Sequence, residues 1–217
     1  MHDKLLQFQR NDVWTLIPRS EGEHIISTKW IFRNKTNEEG NVICNKARLV
    51  AQGYSQMEGV DYDKTFVPVA HMESIRILFA LVCHLKFKLY QMDVKPTFLN
   101  GLLKEDVYVA QPKGFIDPHF PDHALYFKKT LYGLTQAPRA WYDQLTQYLV
   151  SHGFTRGKTD QTLFIKKEDD KLIVAQVYVN DIIFGSTKDE LAHGFSKLMQ
   201  AEFEMSMIGE LTHFLGL

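Results

Sequence analysis

Two stretches of this chain bring acidic side chains to places where they could hold a divalent cation. Residues 87–94 (FKLYQMDV) form a strand-like run that closes on Asp93, and residues 174–186 (VAQVYVNDIIFGS) are two β-rich runs around the polar pair Asn180-Asp181. β-branched and aromatic runs on either side of a short polar break read as a hairpin. A hairpin turn presents its side chains at the edge of a sheet. If the two stretches lie side by side, Asp93 and Asp181 converge, which is the arrangement that divalent-metal phosphoryl transfer requires. The same Asn-Asp pair is also ordinary turn chemistry, because both residues tolerate positive φ and bond their own backbone.

Other candidate chemistries fail on spacing. Residues 153–159 (GFTRGKT) approach a phosphate-binding P-loop, but the spacing is one residue short and His152 stands where a glycine is required. That segment also follows a helical pattern rather than a strand, so it reads as a connector. No Gly-x-Ser-x-Gly elbow and no His-Glu-x-x-His pair is present. His119 and His123 sit four apart, but Pro118 and Pro121 make the segment a loop, which argues against a helical zinc pair.

The elements that must position the acids follow from periodicity. Residues 1–9 look like the tail of a helix. Residues 29–33 and 42–50 read as strands joined by a turn at 37–41, and this hairpin carries Lys29, Arg33, Lys35, Lys46 and Arg48 against only Glu38 and Glu39. It is a local cationic surface or a solvated hairpin face. Ile75, Leu78, Phe79, Val82 and Leu85 recur at helical spacing, predicting a core-facing helix over 72–85. Residues 98–115 look irregular, with a short strand at 107–110. Pro138 suits the first turn of a helix that runs to His152, where Gly153 ends it. Residues 163–167 and 172–179 should pair across the acidic turn Glu168-Asp169-Asp170, and Thr187-Lys188-Asp189-Glu190 is a capping-box pattern opening a last helix. The order gives an α+β chain on a mostly antiparallel sheet.

At 217 residues, 45% hydrophobic and 24% charged, the chain is long enough for one sizeable domain, with two lobes as an option, and is not disordered. A net charge of −1 confines any nucleic-acid surface to a local patch. Cys44 and Cys83 have no metal-ligand spacing, so free thiols in a reducing compartment are expected. No run approaches a membrane span and no signal-peptide pattern opens the chain.

Residues 90–101 (YQMDVKPTFLNG), 131–142 (LYGLTQAPRAWY) and the YVNDIIFGS run resemble the reverse transcriptase of Ty1/copia-type retrotransposons. Residues 46–70 (KARLVAQGYSQMEGVDYDKTFVPVA) and 203–217 (FEMSMIGELTHFLGL) are similar to the same family, in its order. The resemblance implies a right-hand polymerase with fingers and palm, built on a ferredoxin-like antiparallel palm sheet with helices on one face, and with the thumb missing. Fingers would fall roughly at 1–86 and 112–133, and palm at 87–111 and 134–217. It implies two Mg²⁺ ions, with Mn²⁺ as a substitute, on Asp93, Asp181 and the position of Asn180. Lys46, Arg48, Phe98, Tyr132 and Gly133 would bind the nucleotide, with Phe98 as the aromatic that rejects a ribose 2′-OH. Phe214, Leu215 and Gly216 would support the primer end. Implied partners are an RNA or DNA template with its primer, deoxynucleoside triphosphates and no membrane. A parent polyprotein would add thumb, RNase H, integrase and protease, and the location would be a cytoplasmic retroelement particle.

One departure bears on activity. The family has Asp-Asp where this chain has Asn180-Asp181, so one of the three acids is lost while the turn keeps its shape. The copy is expected to be catalytically crippled. Thr135, usually lysine, and Pro96-Thr97, usually small residues, also point towards drift. A non-catalytic remnant that at most binds nucleic acid is the alternative. A metal-dependent phosphohydrolase would leave YGLTQAPRAWY without a purpose.

Overall fold

The computed structural model describes residues 1–63, 65–212 and 214. In chain order the first elements are α1 (His2–Arg10), β1 (Trp14–Ile17), β2 (Ile25–Ile26), β3 (Thr28–Thr36), β4 (Val42–Ala51) and α2 (Met72–Leu85). Then come β5 (Leu89–Val94), β6 (Leu102–Ala110), β7 (Ala124–Lys129), α3 (Ala137–Ser151), β8 (Thr155–Arg156) and β9 (Leu163–Glu168). The chain closes with β10 (Lys171–Tyr178), β11 (Asp181–Ser186), α4 (Asp189–Glu202) and β12 (Met205–Glu210). This is an α+β chain, and its contacts divide it into two units.

The first unit joins Met1–Phe66 to Phe98–Trp141. Its sheet runs β1-β7-β6-β2, and the β3–β4 hairpin stands as a separate two-stranded ribbon. Val13, Ile26, Leu49, Val107, Val109, Phe127 and Leu131 form its core, and α1 adds Phe8, whose ring meets Trp14 at 4.9 Å. Only the base of the hairpin, at Thr28, Leu49 and Ala51, is buried; its outer half is solvated.

The second unit joins Val67–Thr97 to Tyr142–Leu217. Its six strands run β12-β5-β11-β10-β9-β8, each neighbouring pair antiparallel. Successive residues of β11 point to opposite faces. Ile183 packs with Ile75 and Leu78 of α2, while Phe184 stacks at 4.8 Å on Phe195 of α4. Helices therefore cover both faces, not the one face expected, because β11 is apolar on both sides and each side needs a cover.

Four further expectations change. The hairpin loop is Val179-Asn180, and Asp181 is already the first paired residue of β11, opposite Tyr178. Val179 takes the positive φ of that loop, 55°, which is uncommon for a β-branched residue and marks local strain. The capping box does not form: Lys188 is the N-cap of α4, and the Thr187 hydroxyl instead accepts from Leu172 N–H at 3.1 Å. The stretch at 98–115 holds a nine-residue strand, β6, whose charged outer positions Lys104 and Asp106 and register shift before Val107 hid its period. The two units also divide the chain at other residues than the expected lobes. Helix α2 belongs with the second unit because it packs on β5 and β11, and β6 belongs with the first because it pairs with β7.

Candidate active site

Strands β5 and β11 set Asp181 directly opposite Asp93, with Ile183 opposite Gln91, so the two acids and Gln91 share one face of the sheet. Both acids are half-buried. Asn180 Nδ2 donates to Asp93 Oδ1 at 2.5 Å, and Gln91 Nε2 donates to Asp181 Oδ1 at 2.8 Å. Each carboxylate is thus partnered by an amide. Burial pushes the Asp181 carboxyl above its ordinary range; the Gln91 bond opposes this and the Asp93 charge adds to it. Gln91 went unnamed in the sequence reading, although its place two residues before Asp93 puts it on the same face.

The donor set can be tested against a divalent ion. Two opposed carboxylates, the charged form of one disfavoured chiefly by burial and further by the other's charge, would suit a single dication. Among the described residues no group of three or more His, Cys, Asp or Glu side chains gathers to hold a metal. Position 180 supplies an amide and not a carboxylate, so a second ion would find no third acid there. Asn180 instead turns an N–H donor towards Asp93.

The candidates Lys46, Arg48, Phe98, Tyr132 and Gly133 lie in the first unit. The Phe98 and Tyr132 rings meet edge to face at 4.7 Å, and Thr130 Oγ1 donates to the Phe98 carbonyl. Ala51 N–H donates to Tyr132 O at 2.8 Å. Gly133 follows with φ of 94°, and a Cβ there would fall against the Ala51 carbonyl, so this turn requires glycine. Lys46 and Arg48 project from β4. In the hairpin register Arg33 faces Lys46 and Ile31 faces Arg48, which places Lys29, Arg33, Lys35, Lys46 and Arg48 on one side of the ribbon. None of the five is in an ion pair among the described residues. Phe214, buried, packs in the α2 cluster with its ring edge-on to Tyr178 at 6.1 Å. Leu215 and Gly216 lie outside the described residues.

The family model described as "Reverse transcriptase (RNA-dependent DNA polymerase)" matches residues 11–217. The chain belongs to that family, in its Ty1/copia-type retrotransposon branch. It is 39% identical over 208 residues to the "Retrovirus-related Pol polyprotein from transposon RE1" of Arabidopsis thaliana, covering 95% of this chain and 14% of that protein. The RE2 polyprotein of the same plant gives 39% over 209 residues, again 95% of this chain and 14% of that protein. The "Retrovirus-related Pol polyprotein from transposon TNT 1-94" of Nicotiana tabacum gives 32% over 219 residues, 100% of this chain and 16% of that protein. The chain therefore spans about a seventh of the length of these curated relatives.

Proposed function

We propose that this chain is the fingers and palm of an RNA-directed DNA polymerase, with a nucleotidyl-transfer site at Asp93 and Asp181 that Asn180 has crippled. The observation that carries it is the register: strands distant in sequence set Asp181 opposite Asp93 and bring Asn180 into contact with the same carboxylate. The palm reading is supported by β5, α3, β10, β11, α4 and β12, which, with β6 and β7 of the first unit and the strands β8 and β9 set aside, follow a βαββαβ order with those strands placed β12-β5-β11-β10. The first unit supplies the fingers in this reading.

Asp93 and Asp181 would hold Mg²⁺, or Mn²⁺ in its place, and a divalent ion bound there supplies charge neutralisation for transfer of the nucleotide to a primer 3′-OH. Lys46 and the Arg48 guanidinium bind the incoming triphosphate, the guanidinium in bidentate fashion. Phe98, backed by Tyr132, fills the space that a ribose 2′-OH would need. The Gly133 turn lets the Ala51 backbone approach closely next to Tyr132. Asn180 leaves the acids one charge short and occupies a lone pair of Asp93.

Primer extension tests the reading. Asn180→Asp should raise Mg²⁺-dependent incorporation on a primed template by at least about a hundredfold, the scale of losing a preorganised electrostatic group. Equal rates for the wild type and this variant would sink the crippled-site claim. A second reading, a remnant that only binds nucleic acid, is favoured by the cations on one face of the β3–β4 ribbon, which have no ion-pair partner among the described residues. Salt-dependent template binding with no extension by either protein, in Mg²⁺ or Mn²⁺, would select it.

A further inference from the structure

The turn carrying Tyr132 and Gly133 is fastened by a loop to which the polymerase reading gives no role. Gln56 is half-buried, and both ends of its amide are engaged. Its Oε1 accepts from Thr135 N–H at 2.8 Å and from the Thr135 hydroxyl at 2.9 Å, and its Nε2 donates to Gln136 Oε1 at 3.0 Å. Gln136, only 2% exposed, donates onward from Nε2 to the Asp61 carbonyl at 3.0 Å. The buried Asp61 carboxylate accepts from Met57 N–H at 2.7 Å and pairs with His24 Nδ1 at 2.7 Å. Backbone closes the same join, since a Cβ on Gly53 would fall on the Gly133 carbonyl.

These bonds hold one turn in one place. That turn carries Tyr132, whose ring meets Phe98. Thr135 is therefore built into the join: two of its donors converge on one oxygen of Gln56.

We propose that Gln56 is a positioning residue for sugar selection: through Thr135 and Gln136 it fixes the turn whose Tyr132 ring backs Phe98. The proposal rests on the reading of Phe98 as the group that excludes a ribose 2′-OH. The ligand class is a nucleoside triphosphate, and the property set at a distance is preference for the deoxyribose form. Steric rejection depends on sub-ångström placement, so a side chain that never touches the sugar can control it by holding the wall behind the ring.

The test is competition between deoxyadenosine and adenosine triphosphates for the full chain bound to a primed template, in wild type, Gln56→Ala, Gln56→Glu and Phe98→Ala. Gln56→Ala should narrow the preference for the deoxy form by about tenfold, mainly by tightening the ribonucleotide. Gln56→Glu keeps an acceptor for Thr135 and should restore most of the preference. General loss of structure weakens both nucleotides alike and leaves their ratio unchanged. A ratio that moves in Phe98→Ala but not in Gln56→Ala overturns the positioning role while sparing the reading of Phe98. An unmoved ratio in Phe98→Ala overturns that reading itself, and the positioning role falls with it.

Discussion

Asn180 and Asp181 are adjacent in the chain and opposite in consequence. Asn180 gives Asp93 a donor at 2.5 Å, whereas Asp181 sits half-buried opposite that same acid with its carboxyl pushed upward by burial. A raised carboxyl pKa means that the folded chain binds the proton more tightly than the unfolded one. The site's contribution to stability is then fullest below the unfolded value and is lost as pH rises through the folded value. Asp181→Asn should therefore raise the melting temperature at pH 7 in metal-free buffer, with the gain vanishing near pH 4; a gain independent of pH would mean that charge is not its cause. Asn180→Asp should do the reverse, replacing a hydrogen bond with a third like charge. A loss of about 1–3 kcal/mol in urea unfolding is expected in chelator, with Mg²⁺ restoring part of it.

The same linkage, with its sign inverted, operates where helix α2 begins. His71, its N-cap, makes no side-chain cap, and the helix start is served instead by the buried carboxylate of Asp160. Asp160 accepts from His71 N–H at 3.3 Å, from Thr162 N–H at 2.9 Å and hydroxyl at 2.5 Å, and from Gln176 Nε2 at 3.3 Å. Burial alone would raise its carboxyl; the bonds from Thr162, Ser74 and His71 outweigh burial and hold it below the usual range. Its stabilisation is full above the unfolded pKa and is lost as pH falls through the folded one. Asp160→Ala should cost about 2–4 kcal/mol at pH 7 and progressively less on acidification, read by α2 amide exchange and by urea melts. Helix α2 itself was legible from Ile75, Leu78 and Val82, and the β9–β10 hairpin from its acidic turn. Its distant cap was not, because Asp160 lies 89 residues from His71 and no local pattern links them. Strand β12 was missed for a related reason: Met205–Glu210 has one fully covered position, and its pairing with β5 is long-range. The acid pair was legible as two residue types in two runs, while Gln91 and the Val179-Asn180 loop needed the register.

Across the whole chain, net charge is −1, so no uniform field draws it to nucleic acid. The β3–β4 ribbon gathers its cations locally. Arg33 directly opposite Lys46 is an arrangement that costs stability in an isolated hairpin, and neither is relieved by an acid among the described residues. From Lys29 to Lys35 on β3, six steps of about 3.3 Å each give a cationic edge of roughly 20 Å, longer than one triphosphate needs. A single-stranded template along that face would release counterions in proportion to the phosphates neutralised, with log affinity falling against log salt by about 0.7 per contact. Replacing Lys29, Arg33 and Lys35 together by glutamine should flatten that slope by roughly 2, while Lys46 and Arg48 stay in place. Because these three side chains are exposed and make no ion pair among the described residues, their loss should leave the melting temperature within about 1 °C, the behaviour of ordinary surface positions. Fluorescence anisotropy with a labelled single strand at 50, 100 and 200 mM salt reads the slope directly. An unchanged slope would reduce the ribbon to a solvated face and leave the triphosphate as the only anion that Lys46 and Arg48 have to meet.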